Sequence, residues 1–449
     1  MTMTRLRAVA LAATALAVLT LAGAPARADE ATAVRYTGTL TDGASWIADV
    51  PESWNGTVIL YSHGFGPLAA QDAPDAATHD DLLDLGYALV GSSYSGPSWW
   101  ALAPAVDDQF GALAAIEQQL GTPRRVIAWG TSMGGLISAL EAERGAGRID
   151  GALTTCGLVA GALNLNNYQL DGEWALSHLL APDQAIQLAD YASAGAASNA
   201  AGALTGAVAT AQSTPEGRAR TALGAALMNE PTWATGQDEP AATDYAGQES
   251  QQAQELSWVL GFVMSGRYQI ELAAGGNSSG NVGVDYAGLL QHSPQRKQVE
   301  ALYAAAGLDL DADLASLTRD ADVQPDPNAT ATLSRTSMVT GRLAVPELDI
   351  HTVADQLIPV AQENWYAAQV RNAGRTDLFR QAYVDASGHC NFQPAATIAA
   401  LHAVEHRVDT GGWDDATEAD RLNAAATATR LGSFQPYLRF QPPALTGVR

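Results

Sequence analysis

Ser132 stands at the centre of Gly130-Thr131-Ser132-Met133-Gly134, with Gly135 beyond. A serine hydroxyl attacks a carbonyl only when a neighbouring imidazole removes its proton. What matters, then, is whether the chain holds this hydroxyl out for such a partner. Upstream, residues 126–129 are a short apolar run of strand character. Downstream, Leu136, Ile137 and Leu140 recur at helical spacing. A strand that reverses sharply into a helix leaves no room for side chains beside the apex. The glycines provide that room, and the apex residue is forced into a strained conformation with its side chain exposed. The stretch reads as a nucleophile held out for acyl transfer or as a small residue that lets the chain turn, and its context decides.

The elements that must position it alternate. Residues 57–62, 87–92, 125–129 and 149–154 read as strands, with helices expected at 80–85, 105–120 and 134–144. Strands separated by helices of this size imply a parallel sheet with right-handed crossovers. From about residue 165 to 337 the rhythm breaks into a segment rich in Ala, Gln and Asp. Helices are expected there at 174–180, 182–192 and 248–264, with loose helices or mobile loops in "SAGAASNAAGALTGAVAT". Alternation resumes with a strand at 343–351, a helix at 361–373, a strand at 379–384 and a helix at 395–407. The expected organisation is a leader at 1–28, a core at 29–164 and 338–408, a helical cap at 165–337 over the sheet's C-terminal edge, and a packed tail at 409–449.

Composition excludes some partners. Arg5 and Arg7 precede an apolar run from 8 to 21, and Ala26-Arg27-Ala28 places small residues where a signal peptidase reads. This implies a secreted protein cut after Ala28, without membrane insertion. A net charge of −24 speaks against nucleic acid and anionic lipid, and suits a neutral or cationic substrate. The two cysteines, Cys156 and Cys390, should pair in an oxidising compartment. Two ligands alone make no structural zinc site, so no metal is expected.

Residues 34–164 and 337–407 resemble the α/β-hydrolase family, whose triad follows in the order nucleophile, acid, histidine. The resemblance implies a mostly parallel central sheet with a large, mainly helical insertion, and puts the nucleophile at Ser132. The acid maps to Asp355, in "LDIHTVADQLIPV" just past a strand. Asp349 lies within that strand and Asp385 too near the histidine. The base maps to His389 in "VDASGHCNF", whereas His351 comes too early in the order. Oxyanion donors fall at Met133 and on the loop His63-Gly64-Phe65-Gly66, with Phe65 first and Gly64 second; His63 is read as a loop anchor. In this fold a Cys156–Cys390 bridge pins the histidine loop over Ser132. The His389-Cys390 step is similar to tannase and feruloyl-esterase relatives, whose partner cysteine precedes the serine; here Thr131 stands there. Tyr94, Trp99 and Trp100 are candidates for a flat apolar substrate wall.

The expected function is a secreted serine hydrolase acting on a small-molecule or polymeric carboxylic ester, without cofactor. The competing readings are a serine exopeptidase on the same fold and a noncatalytic binding protein.

Overall fold

The computed structural model describes residues 33–449; the leader expected at 1–28 lies outside them. Nine strands form one sheet: β1 (Ala33–Thr39), β2 (Ser45–Pro51), β3 (Thr57–Ser62), β4 (Ala88–Ser92), β5 (Arg125–Thr131), β6 (Gly151–Thr155), β7 (Glu347–Ala354), β8 (Phe379–Ser387) and β9 (Tyr437–Leu438). Their order is β1-β2-β4-β3-β5-β6-β7-β8-β9. From β4 through β3, β5, β6 and β7 to β8 every pairing is parallel. β1, β2 and β9 pair antiparallel at the two edges.

The central strands are apolar on both faces because helices cover both. Before the sheet's midpoint run α1 (Ala76–Asp84), α2 (Leu102–Leu120) and α3 (Met133–Arg144). Eight helices then separate β6 from β7: α4 (Gly161–Leu180), α5 (Ala194–Ala211), α6 (Pro215–Leu227), α7 (Tyr245–Ala274), α8 (Tyr286–His292), α9 (Arg296–Ala306), α10 (Leu310–Asp320) and α11 (Pro327–Thr336). The chain closes with α12 (Ala361–Asn372), α13 (Pro394–Thr410) and α14 (Ala419–Thr429). Alternate residues of β3 and β5 sort into two cores. Val58, Leu60, Val126 and Ala128 pack with α2 and α3, whereas Ile59, Ile127 and Trp129 pack with α1 and α13. This is the α/β-hydrolase fold. Among the described residues no helix is long and apolar enough to cross a membrane.

Three expectations change. Residues 182–192 are not helical: Glu271 of α7 accepts from the Asp190 and Tyr191 backbone, and Arg267 takes the Leu188 carbonyl. These tertiary partners outweigh a local helical pattern. The alanine-rich segment is the regular helix α5, capped by Ser193 and buried along Ala197, Ala200, Ala201, Leu204 and Val208. Small side chains let it lie close against α7. Finally, α4 begins at Gly161 and runs without interruption through the boundary expected at residue 165.

The turn between β5 and α3 depends on close backbone approach. A Cβ on Gly134 would lie 1.8 Å from the Ser62 carbonyl oxygen, and one on Gly130 equally near the Gly134 oxygen. Neither obstacle is a flexible side chain. Gly134→Ala is therefore expected to destabilise the fold by about 3 kcal/mol or more, read as a lowered urea midpoint. An unchanged midpoint would show that the turn has slack.

Candidate active site

The site is assembled at the C-terminal ends of four strands. At the end of β5, Ser132 adopts φ 59° and ψ −121°, a conformation costly for any residue with a Cβ. Positive φ also occurs at Tyr94, Cys156 and Cys390, which follow β4, β6 and β8. Four strained residues thus lie at one edge of the sheet.

Ser132, His389 and Asp355 meet in one line. His389 Nε2 lies 2.8 Å from Ser132 Oγ, and His389 Nδ1 lies 2.7 Å from Asp355 Oδ2. The second carboxylate oxygen, Oδ1, accepts the backbone N–H groups of Leu357 and Ile358, each at 2.9 Å. Asp355 is wholly buried and His389 about one-sixth exposed. Burial alone would raise the Asp355 carboxyl, but the charges and hydrogen bonds of His389 and His351 hold it well below the usual carboxylate range. It stays ionised, as a group that orients and charges an imidazole must.

His351, set aside in the sequence because of its place in the chain order, sits directly behind the acid. Its Nε2 is 2.8 Å from the Ile358 carbonyl oxygen, an acceptor only, so this nitrogen carries a proton. The same Nε2 is 3.4 Å from Asp355 Oδ2, and Nδ1 is 3.0 Å from Glu363 Oε1. Burial acts to lower the imidazole, but hydrogen bonds and charges from Asp355 and Glu363 outweigh it, and its pKa is pushed up to about 10. A buried imidazolium thus backs the carboxylate. The spacing of His351 and Asp355 is visible in the sequence; Glu363, which completes the arrangement from α12, is not.

The histidine loop is fastened from two directions. Cys156, after β6, is disulfide-bonded to Cys390, with Cα atoms 5.3 Å apart. Gly388 donates its N–H to the Ala354 carbonyl, and Thr352 Oγ1 donates to the Gly388 carbonyl.

The expected oxyanion residues lie alongside. The Gly64 backbone abuts the serine so closely that a Cβ there would be 3.3 Å from Ser132 Cβ. Among the described residues, the Phe65 N–H has no hydrogen-bond acceptor. Met133 opens α3, where a backbone N–H has no partner within its own helix. His63 stacks on Tyr94 at 4.2 Å, and Tyr94 O–H donates to the His63 carbonyl at 3.0 Å. Tyr94 is therefore a buried prop for the loop and does not line the cavity beside Ser132.

That cavity is lined mainly by apolar side chains and has a volume of about 40 Å³. Trp100 forms part of its wall and donates Nε1–H to Ser337 Oγ. Trp99 remains outside, edge-on to Phe65 at 5.8 Å. Phe65 also meets Phe262 of α7 edge-on at 5.7 Å, so core and insertion touch above Ser132. Arg267, wholly buried and bonded to Glu173 of α4, holds α7 in place. Phe262 and Gln169, another cavity residue, come from helices of the insertion, and no motif marks them.

No protein-family model matches the chain. It is 30% identical over 425 residues to an o-phthalyl amidase of Xanthobacter agilis, a match spanning 88% of this chain and 92% of that one. The chain belongs to the o-phthalyl amidase family. Among solved structures it is similar to an esterase from Aspergillus oryzae, at 14% identity and TM-score 0.40 over 84% of this chain and 80% of that one. It is likewise similar to the rice cell wall degrading esterase LipA from Xanthomonas oryzae, at 15% identity and TM-score 0.37 over 84% and 89%. In this member of the o-phthalyl amidase family, the strand order and the glycine turn after β5 are those of the α/β-hydrolase fold.

Proposed function

We propose that this protein hydrolyses carboxylic amides and esters through an acyl-enzyme on Ser132. The observation that carries the reading is the unbroken hydrogen-bonded line from Ser132 Oγ through His389 to buried Asp355. His389 Nε2 takes the serine proton as Oγ attacks the carbonyl carbon. Asp355 fixes the imidazole tautomer and stabilises the imidazolium. The carbonyl oxygen, now negative, is received by the N–H groups of Met133 and Phe65, with Gly64 the alternative to Phe65. His389 then returns the proton to the departing amine or alcohol. Water, deprotonated by the same imidazole, releases the acid and restores the serine.

The named activity of the Xanthobacter relative supports including amides. An exopeptidase would need a carboxylate aimed at the substrate's amino group. Among the described residues, none with a carboxylate lines the cavity. The disulfide supports an exported protein, in keeping with the leader read at 1–28.

A fluorophosphonate probe tests the reading. It is expected to attach to Ser132, located by peptide mass, and to abolish hydrolysis of both benzoyl p-nitrophenyl ester and benzoyl p-nitroanilide. Hydrolysis that continues after complete modification would remove Ser132 from the chemistry. Faster turnover of a free aminoacyl nitroanilide than of either benzoyl compound would move the assignment to an exopeptidase.

A further inference from the structure

One carboxylate oxygen in this site lies between two imidazoles. Asp355 Oδ2 is 2.7 Å from His389 Nδ1 on the side of the serine and 3.4 Å from His351 Nε2 on the other. Beyond His351 the line continues to Glu363 of α12, whose Oε1 is 3.0 Å from His351 Nδ1. The other Glu363 oxygen, Oε2, accepts from the side-chain amide of Gln381 in β8 at 2.5 Å. Asp355, His351 and Glu363 are wholly buried, so water and salt screen their charges little.

The hydrogen bonds fix the charge on His351. Its Nε2 faces the Ile358 carbonyl, which only accepts, so that nitrogen holds a proton. Its Nδ1 faces a carboxylate that already accepts from Gln381, and a second proton there makes the ring an imidazolium. Among the described residues, the other titratable groups acting on this line are Asp349 and Glu347 of β7, Glu230 after α6, Tyr168 of α4 and Tyr383 of β8. Burial raises the pKa of each, and all five stay uncharged at neutral pH. His351 supplies the positive charge behind the acid.

What this charge does follows from the proton balance of the site. Ser132 is activated only while Asp355 is ionised and His389 Nε2 is free to take a proton. A buried carboxylate beside a neutral imidazole is an uncompensated charge, and the two groups together relieve it by taking up a proton. A cation on the far side of the same oxygen opposes that uptake.

Resting on the hydrolase reading above, we propose that His351 is a positioning residue of this site. Held between Glu363 and Asp355, its imidazolium keeps the Asp355–His389 pair in the working protonation state down to a lower pH than the pair alone would reach.

The test is the acid limb of kcat/KM for a p-nitrophenyl ester, which reports proton uptake by the free enzyme. In His351→Gln the side chain still offers a donor to the Ile358 carbonyl but carries no charge. The pair then takes up its proton more readily, so the limb is expected to move to higher pH, by about one pH unit or more. A second variant, His351→Gln with Glu363→Gln, removes the counter-charge too and leaves no unpaired ion behind the acid. Its limb should also lie above that of the unmodified protein, because Glu363 sits on the opposite side of the ring from Asp355. A role in packing alone would lower kcat/KM by one factor at every pH. A limb that stays in place, or moves to lower pH, in either folded variant overturns the proposal.

Should neither variant fold, ¹⁵N spectra of the histidines in the unmodified protein decide. At pH 8 the wholly buried His351 ring is expected to show both N–H groups, protected from solvent exchange. A His351 ring without its Nδ1 proton at that pH overturns the assignment. Fluorophosphonate separates the two levels of the argument. Labelling of Ser132 with an unmoved limb removes the role of His351 alone, whereas absence of labelling rejects the hydrolase reading beneath it.

Discussion

Ser132→Ala is expected to lower kcat by about 10⁶-fold, the scale on which loss of the nucleophile acts in serine hydrolases. KM should change little, because the substitution removes one oxygen and leaves the apolar walls intact. The physical basis is specific to this site. Ser132 is held at φ 59° in a turn where flanking glycines approach the backbone closely, and its Oγ is 2.8 Å from His389 Nε2. Alanine tolerates the same turn, so the fold should survive and the loss should be purely chemical. Stopped assays of p-nitrophenyl ester hydrolysis, paired with a urea melt, separate the two. A variant retaining more than about 1% of the parental rate would point to another nucleophile or to direct attack by water.

The second large effect concerns the Cys156–Cys390 bridge. It joins residues 234 apart, and closing so long a loop restricts the unfolded chain severely. The chain-entropy treatment gives about 5 kcal/mol, an upper figure because it neglects strain. Replacing both cysteines by serine is thus expected to lower the urea midpoint markedly. Activity should fall as well. Cys390 follows the candidate base directly, and its sulfur lies 3.3 Å from His389 Nε2. With the bridge gone, the loop retains the Gly388–Ala354 and Thr352–Gly388 hydrogen bonds, but its far side is free. A loss of about 10- to 100-fold in kcat is expected, the scale on which a misplaced catalytic group acts. A double-serine protein with the parental midpoint and the parental rate would show that these hydrogen bonds hold the loop unaided.

Much of this arrangement is legible before any coordinates. The sheet announces itself through short apolar runs, and the turn at Ser132 through glycines that nothing else explains. The meeting of Ser132, Asp355 and His389 follows from where each falls after its strand. What sequence patterns miss is set by tertiary partners. Residues 182–192 carry a helical pattern, yet their backbone is claimed by Glu271 and Arg267. Helix α5 carries few bulky apolar residues besides Leu204 and Val208, and its alanines pack well only when another helix lies close. Chain order speaks against His351 as the base, yet it says nothing of a residue placed behind Asp355. Gln169 and Phe262 depend on how the insertion folds back, which no local pattern encodes.

The contact between Phe65 and Phe262 carries a further consequence. Phe65, from the loop after β3, and Phe262, from α7, both line the cavity that holds Ser132 and His389. A compound too large for that cavity is expected to reach Ser132 only when the two rings part. For such a compound, apparent affinity is expected to combine how often the rings part with how well the opened cavity binds. Two compounds that fit equally well once inside can still differ in turnover, because the bulkier one waits for a rarer fluctuation of α7.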